Sequence, residues 1–135
     1  MAGYSDTALN KKLGIKPGFN MYVHNPPVRY LEWIHPLPGD VDIREKLTGP
    51  LDFIHLFVKD QKAFRSLLVK SKQHLKSDGM VWVSWPKKSS GVATDLDENL
   101  IRDFGLKEGL VDIKVCAVDE IWSALKFVVP VKDRK

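Results

Sequence analysis

Apolar residues follow one another almost without interruption from Leu51 to Val58. A run of this length is typical of a central parallel strand that is covered on both faces. Asp60 stands where the N-cap of a following helix is expected. Apolar or small residues then recur at helical spacing, at Phe64, Leu67, Leu68, Ser71 and Leu75. The pattern therefore predicts a buried strand and an amphipathic helix at the centre of the chain.

Shorter patterns before this pair predict four further elements. We expect a short helix over 8–13 that Gly14 closes, and a strand over 19–24. A second short helix should bury Val28, Leu31 and Ile34 on one face and end at His35-Pro36. A partly exposed strand should follow over 41–47.

The second half of the chain should add three strands and one helix. We expect a helix end and turn over 75–79 and a strand over 80–85. Asp95 and Glu98 have the spacing of a capping box, which predicts a helix from about Leu96 to Phe104. The apolar runs 110–118 and 121–129 are separated only by Asp119 and Glu120, so they should form an antiparallel hairpin.

This order of elements predicts an α/β fold with three layers. Helices should cover both faces of a Rossmann-like, mostly parallel sheet of about six strands that ends in the antiparallel hairpin. The length of 135 residues predicts a single domain over 1–135.

The composition narrows the range of partners. The net charge is +4, and the basic residues are spread along the chain. They form neither a compact run nor a set interleaved with aromatic residues. Nucleic acid is therefore not an expected partner. Cys116 is the only cysteine, which excludes an internal disulfide and fits a reducing compartment. No apolar run approaches the ~18 residues of a membrane helix, and the first residues lack a signal-peptide pattern. A cytoplasmic protein is therefore expected.

Candidate ligand-binding residues gather where predicted strands end. The loop after the strand over 80–85 combines an aromatic residue, two cations, two hydroxyls and a glycine: Trp85, Lys87, Lys88, Ser89, Ser90 and Gly91. Because open α/β sheets bind ligands at the carboxyl ends of their strands, this loop predicts an anion site. His24 and Asn25 follow the first strand at the same edge, and Asp119 and Trp122 flank the hairpin turn.

Each of these residues also has a purely structural explanation. Trp85 suits the core, the lysines suit a solvated loop, and Asp119 suits a tight turn. Cys116 lies between Val115 and Ala117 and is expected to be a small buried residue and not a nucleophile. The four histidines show no metal-ligand spacing, so no zinc site is predicted. No catalytic residue is predicted.

Four segments resemble the Rossmann-like fold of S-adenosylmethionine-dependent methyltransferases. They are Leu13-Gly-Ile-Lys-Pro-Gly18, 51–57, 75–83 and the terminal hairpin. The chain lacks room for the third strand of that fold. The resemblance therefore implies that the strands, numbered along the chain, lie across the sheet in the order two, one, three, four, six, five, with the sixth antiparallel to the others.

A second resemblance is to a bacterial domain-of-unknown-function family of small proteins, and it implies no activity. It rests on Tyr4-Ser5 and on the segments 11–18, 85–88, 91–96 and 109–123.

Two departures from the methyltransferase pattern bear on function. The turn after the first strand, Val23 to Val28, contains no glycine, and Glu45 is the only candidate for the acidic residue that would bind the ribose of the cofactor. We therefore expect no tightly bound S-adenosylmethionine. The sequence favours a non-catalytic binding or regulatory module that uses the carboxyl edge of the sheet for an anionic small molecule or a protein partner. The alternative is an S-adenosylmethionine-dependent methyltransferase with an atypical cofactor loop, and the third interpretation is a weak nucleic-acid binder.

Overall fold

The computed structural model describes residues 8–134. Its strands are β1 (Asn20–His24), β2 (Asp42–Arg44), β3 (Leu51–Phe57), β4 (Leu75–Pro86), β5 (Val111–Ala117) and β6 (Trp122–Val128). Its α-helices are α1 (Leu9–Leu13), α2 (Tyr30–Ile34), α3 (Gln61–His74) and α4 (Glu98–Lys107). Tyr4 and Ser5, which belong to the second resemblance, lie outside the described residues.

The strands form one sheet in the order β2-β1-β3-β4-β6-β5. β1 pairs in parallel with β2 and β3, and β3 pairs in parallel with β4. β6 is antiparallel to both of its neighbours, β4 and β5. The predicted fold class, strand order and terminal hairpin are thus confirmed, with the apolar strand β3 at the centre.

Apolar side chains project from both faces of the sheet, and helices cover both faces. On one face, Leu13 of α1 and Tyr30 of α2 pack with Phe53 and Trp82. On the other face, α3 and α4 pack against residues such as Ile54, Val83 and Leu125. Every residue of β3 is buried, as expected for a strand that is covered twice. No helix within residues 8–134 has the length and apolar character needed to cross a membrane.

Two elements in the first half differ from their predicted form. The buried face of α2 carries Tyr30 and Ile34, whereas Val28 and Leu31 are exposed. The helix begins only at Tyr30. Tyr30 and Ile34 lie four residues apart and therefore on the same side of the helix, and this side faces the sheet. The predicted strand over 41–47 is reduced to Asp42–Arg44, since β2 is an edge strand that pairs only with β1.

Three element boundaries in the second half were predicted wrongly, namely the start of β4 and both ends of α4. β4 begins at Leu75, directly after α3, where a turn was expected. Helix α4 begins at Glu98 with Asp97 as its N-cap, and Asp97 Oδ1 accepts a hydrogen bond of 2.8 Å from the Leu100 amide. Asp95 instead accepts a bond of 2.9 Å from the backbone amide of Gln61 and so ties the preceding loop to α3. The helix continues through Gly105 to Lys107, and Gly105 is buried against the ring of Phe127.

Candidate functional site

A cleft of about 320 Å³ lies at the carboxyl edge of the sheet. Its walls come from the ends of β1 and β3, the first turn of α3 and the start of β6. The lining residues are His24, Asn25, Pro27, Phe57, Val58, Lys59, Asp60, Ala63 and Trp122.

The position of the cleft follows from the strand order. After β1 the chain passes through α2 to β2 on one side of β1, whereas β3 lies on the other side and leads through α3 to β4. The two connections run over opposite faces of the sheet, so the chain diverges at the ends of β1 and β3. A crevice at such a topological switch point is where open α/β sheets bind ligands.

Two buried aromatic side chains form the apolar floor. The rings of Phe57 and Trp122 meet edge to face, with centroids 5.1 Å apart. Phe57 is 2% exposed and Trp122 9% exposed, and Phe57 also stacks on His55 at 4.3 Å. Rings held on several sides keep a fixed orientation, so the floor presents a rigid aromatic surface to the cleft.

Behind this floor lies a buried chain of hydrogen bonds. The Tyr30 hydroxyl is 2.8 Å from His55 Nδ1, and His55 Nε2 is 2.7 Å from the Ser84 hydroxyl. Complete burial lowers the pKa of His55 to about 3, so its ring is neutral, with one nitrogen a donor and the other an acceptor. The network fixes the ring on which Phe57 stacks.

The rim on the β1 side combines a histidine with an unusual turn. Asn25 has a φ of 49°, in the left-handed region that asparagine tolerates better than most residues other than glycine. His24 Nδ1 is 3.0 Å from the Tyr22 hydroxyl, and no hydrogen bond from residues 8–134 reaches its Nε2. Partial burial lowers the pKa of His24 below its ordinary value, so the ring is neutral near pH 7.

The opposite rim is the corner between β3 and α3. Asp60 caps α3 through a bond of 2.8 Å from the Ala63 amide to Asp60 Oδ1. The hydroxyl of Thr94 donates to the carbonyl of Lys59, and the side-chain amide of Gln61 donates to the carbonyl of Asp95 at 3.0 Å. The loop that precedes α4 thus braces the corner that carries Lys59 and Asp60.

The structure brings together only some of the residues that were predicted to bind a ligand. His24, Asn25 and Trp122 line the cleft. Trp85 is 6% exposed and packs in the core on the α3 and α4 face, so it does not line the cleft.

The remaining predicted residues form a unit against the hairpin turn, away from the cleft lining. The Lys87 ammonium donates to the carbonyl of Asp119 at 2.9 Å, and the Ser90 hydroxyl donates to the carbonyl of Lys87 at 2.6 Å. Asp119 Oδ1 accepts bonds from the amides of Ile121 and Trp122. Lys88, Ser89 and Gly91 are exposed. An anion site on this loop stays a prediction.

Six cleft residues were missed from the sequence: Pro27, Phe57, Val58, Lys59, Asp60 and Ala63. The signal for Lys59 and Asp60 was present, because both follow directly on the central strand at the ligand-binding edge. Asp60 was interpreted only as a helix cap, and Phe57 and Val58 only as core.

Comparison with known proteins shows the fold. No family model and no curated protein matches this chain. Among solved structures, a TehB-like S-adenosylmethionine-dependent methyltransferase from Corynebacterium glutamicum has a TM-score of 0.59 at 12% identity, over 95% of this chain and 90% of that one. A S-adenosylmethionine-dependent methyltransferase from Aquifex aeolicus also gives 0.59 at 12% identity, over 90% and 88%. Fibrillarin from Aeropyrum pernix, in complex with natively bound S-adenosylmethionine, gives 0.59 at 16% identity, over 90% and 72%. The chain therefore has the methyltransferase-like α/β fold.

Proposed function

We propose that this protein is an S-adenosylmethionine-dependent methyltransferase with an atypical cofactor loop, and that the cleft is its active site. The observation that carries the proposal is the place of the cleft, at the switch point between β1 and β3. Two of the structures that share the fold are S-adenosylmethionine-dependent methyltransferases, and a third, fibrillarin, holds bound S-adenosylmethionine. These comparisons favour the methyltransferase alternative over the non-catalytic module.

The glycine-free turn does not close the cleft. Glycine is the usual residue where the backbone must take a positive φ or approach a ligand closely. Here Asn25 takes the left-handed conformation, and Asn25 and Pro27 border open space and do not fill it. The turn therefore leaves open space for a cofactor, although Asn25 brings a side chain to the place where a glycine would leave bare backbone.

Glu45 stands where the resemblance requires an acid. It directly follows β2, and the register pairs Arg44 with Tyr22, so Glu45 lies beside the carboxyl end of β1. Its side chain is exposed. A carboxylate at this edge is suited to accept hydrogen bonds from the two hydroxyls of a ribose.

The lining residues supply suitable surroundings for methyl transfer. When bound, S-adenosylmethionine would supply a methyl group on a positively charged sulfur. Phe57 and Trp122 would place aromatic rings at the floor beneath this sulfur, and aromatic rings attract a cation without forming a competing bond to it. In the tautomer whose Nδ1–H donates to the Tyr22 hydroxyl, neutral His24 has an unprotonated Nε2, which would accept a proton from the nucleophile of the substrate.

Calorimetry and thermal unfolding with S-adenosylmethionine test this proposal. A ligand at 100 times its Kd stabilises a protein by ~2.7 kcal/mol, which corresponds to a Tm rise of roughly 10 °C for a chain of this size. Ala63→Leu should fill the cleft and weaken binding at least about tenfold, the equivalent of ~1.4 kcal/mol. Ser66→Leu adds similar bulk on the exposed side of α3 and should leave binding unchanged. The proposal fails if the parent protein shows no Tm shift at millimolar cofactor.

A non-catalytic module that binds an anion at the loop over 87–91 is the second candidate. Its support is the exposure of Lys88 and Ser89, whose side chains form no hydrogen bond with residues 8–134. A Tm shift with simple anions, but not with S-adenosylmethionine, would favour it.

A further inference from the structure

Four lysines converge on the sheet face that α1 covers, away from the cleft lining. They are Lys12 and Lys16, in and just after α1, and Lys114 and Lys126, on the hairpin strands β5 and β6. Lys114 and Lys126 are cross-strand partners, so their side chains leave the same face side by side. We call these four residues the lysine cluster.

Contacts with the backbone and with Trp82 hold three of the four lysines in place. The Lys12 ammonium donates to the carbonyl of Ala117 at 3.2 Å, and the Lys114 ammonium donates to the carbonyl of Lys12 at 3.3 Å. The ammonium of Lys126 lies 5.8 Å from the centre of the Trp82 ring. Trp82 is itself fixed by a bond of 2.9 Å from its Nε1 to the carbonyl of Leu13. The hairpin and α1 are therefore joined through these side chains.

The charges of the cluster are not balanced within residues 8–134. None of its four ammonium groups forms an ion pair with a carboxylate of this part of the chain. Like charges directly opposite on neighbouring strands destabilise a sheet. Burial, and to a lesser extent the nearby positive charges of Lys114 and Lys16, lowers the pKa of Lys126. An anion placed between them would relieve this repulsion.

We propose that the lysine cluster binds a small anion with two or more phosphate groups, such as a polyphosphate or the phosphate chain of a nucleotide. Lysine binds phosphate as a compact point charge, and several ammonium groups in one patch match several charges on one small ligand. A single carboxylate would neutralise only one of them. A nucleic-acid strand fits less well, because Trp82 is fully buried and offers no exposed ring for base stacking.

Calorimetric titration of the full chain with sodium tripolyphosphate tests the site. Lys12→Gln/Lys114→Gln removes two charges and leaves the packing of Lys126 on Trp82 intact, and it should weaken binding at least about tenfold. Lys62→Gln/Lys70→Gln is the matched control, because it removes two exposed lysines from α3, on the other face of the sheet. The control should bind within about twofold of the parent. Lys16→Gln, in a loop, gives an independent variant with an intermediate loss.

The outcomes separate the possible sources of binding. If ATP binds more tightly than tripolyphosphate and the same variants lose this binding, the proposal is supported and the ligand is identified as a nucleotide. The proposal is overturned if the parent binds neither anion or if the control variant loses as much affinity as Lys12→Gln/Lys114→Gln. It is also overturned if only single-stranded RNA binds, with an affinity that grows with strand length. Because the cluster does not line the cleft, these outcomes are independent of the proposed methyltransferase activity.

Discussion

His55 Nε2 lies 2.7 Å from the hydroxyl oxygen of Ser84, and both side chains are fully buried. These residues come from neighbouring strands, β3 and β4, and the second nitrogen of His55 reaches Tyr30 on α2. A buried polar group is tolerated when its hydrogen bonds are made, and His55 has a partner on each nitrogen. The contact joins two strands and a helix directly behind the aromatic floor of the cleft.

We expect the free energy of unfolding to fall in acid because of His55. Its pKa is about 3 in the folded protein and near its ordinary 6.5 when unfolded. Below 6.5 the unfolded chain takes up a proton that the folded protein does not, so stability is full above 6.5 and is lost as the pH falls towards 3. The slope from this group reaches ~1.4 kcal/mol per pH unit. Urea unfolding over this pH range measures it.

His55→Gln serves as the control for this prediction. Its amide can still donate and accept hydrogen bonds but does not titrate. The variant should be less stable than the parent at neutral pH and should lose less further stability in acid. Equal pH dependence in the two proteins would contradict the assignment of the slope to His55.

Gly105→Ala should destabilise the protein although alanine is the better helix former. In an open helix the change stabilises by ~1 kcal/mol. At Gly105 a Cβ atom would overlap the ring of Phe127, and overpacking of this kind costs ~1–3 kcal/mol. Asp103→Ala, on the exposed side of α4, should change stability by no more than ~0.5 kcal/mol. In a Phe127→Leu background the cost of Gly105→Ala should shrink, and a stabilised single variant would refute the contact.

Asp97→Ala should lower the free energy of unfolding by ~1 kcal/mol, because it removes the N-cap of α4. Asp97→Asn keeps an oxygen acceptor and should restore most of the loss. Chemical denaturation of the two variants beside the parent measures the difference. Equal losses in both variants would mean that the cap bond is not the source of the effect.

The sheet and its longest helix were predictable because local patterns determine them. The nearly continuous apolar run of β3 is short enough to favour a strand, and the spacing after Asp60 favours a helix. The short gap at Asp119 and Glu120 favours a hairpin. The strand order followed from the resemblance once the missing strand was recognised.

Details that depend on distant contacts were not predictable in the same way. Asp95 and Asp97 both suit an N-cap, and the contact of Asp95 with Gln61 decides between them. His24, Asn25 and Trp122 were predicted at this edge, but the pairing of Phe57 with Trp122 in the floor of the cleft was not, because the two residues lie far apart in the sequence. Phe57 alone is indistinguishable in the sequence from a core aromatic of the central strand.

Lys87 and Lys88 should respond differently to removal, because only Lys87 is tied to the hairpin turn. Lys88→Ala should leave stability within ~0.5 kcal/mol of the parent, whereas Lys87→Ala should cost up to ~1 kcal/mol by removing the bond to the carbonyl of Asp119. If the loop binds an anion, the double variant should also weaken that binding and flatten its salt dependence. Calorimetry at two salt concentrations checks this. If the double variant binds every anion as tightly as the parent does, Lys87 has only a structural role and Lys88 is only a solvated side chain.

The affinity for S-adenosylmethionine should fall in acid through His24, if the cleft is the cofactor site. Burial lowers the pKa of His24 below its ordinary 6.5, so the ring is neutral at higher pH and gains a positive charge only below that value. A protonated His24 would then repel the positive sulfur of a bound S-adenosylmethionine.

S-adenosylhomocysteine separates this effect from a general loss of structure, because its sulfur is neutral. Calorimetry from about pH 8 to about pH 5 should show the affinity for S-adenosylmethionine falling more steeply than that for S-adenosylhomocysteine. His24→Asn should bring the two slopes together, since asparagine does not titrate. If both ligands lose affinity in parallel in the parent protein, His24 does not face the sulfur and another residue must accept the proton of the substrate.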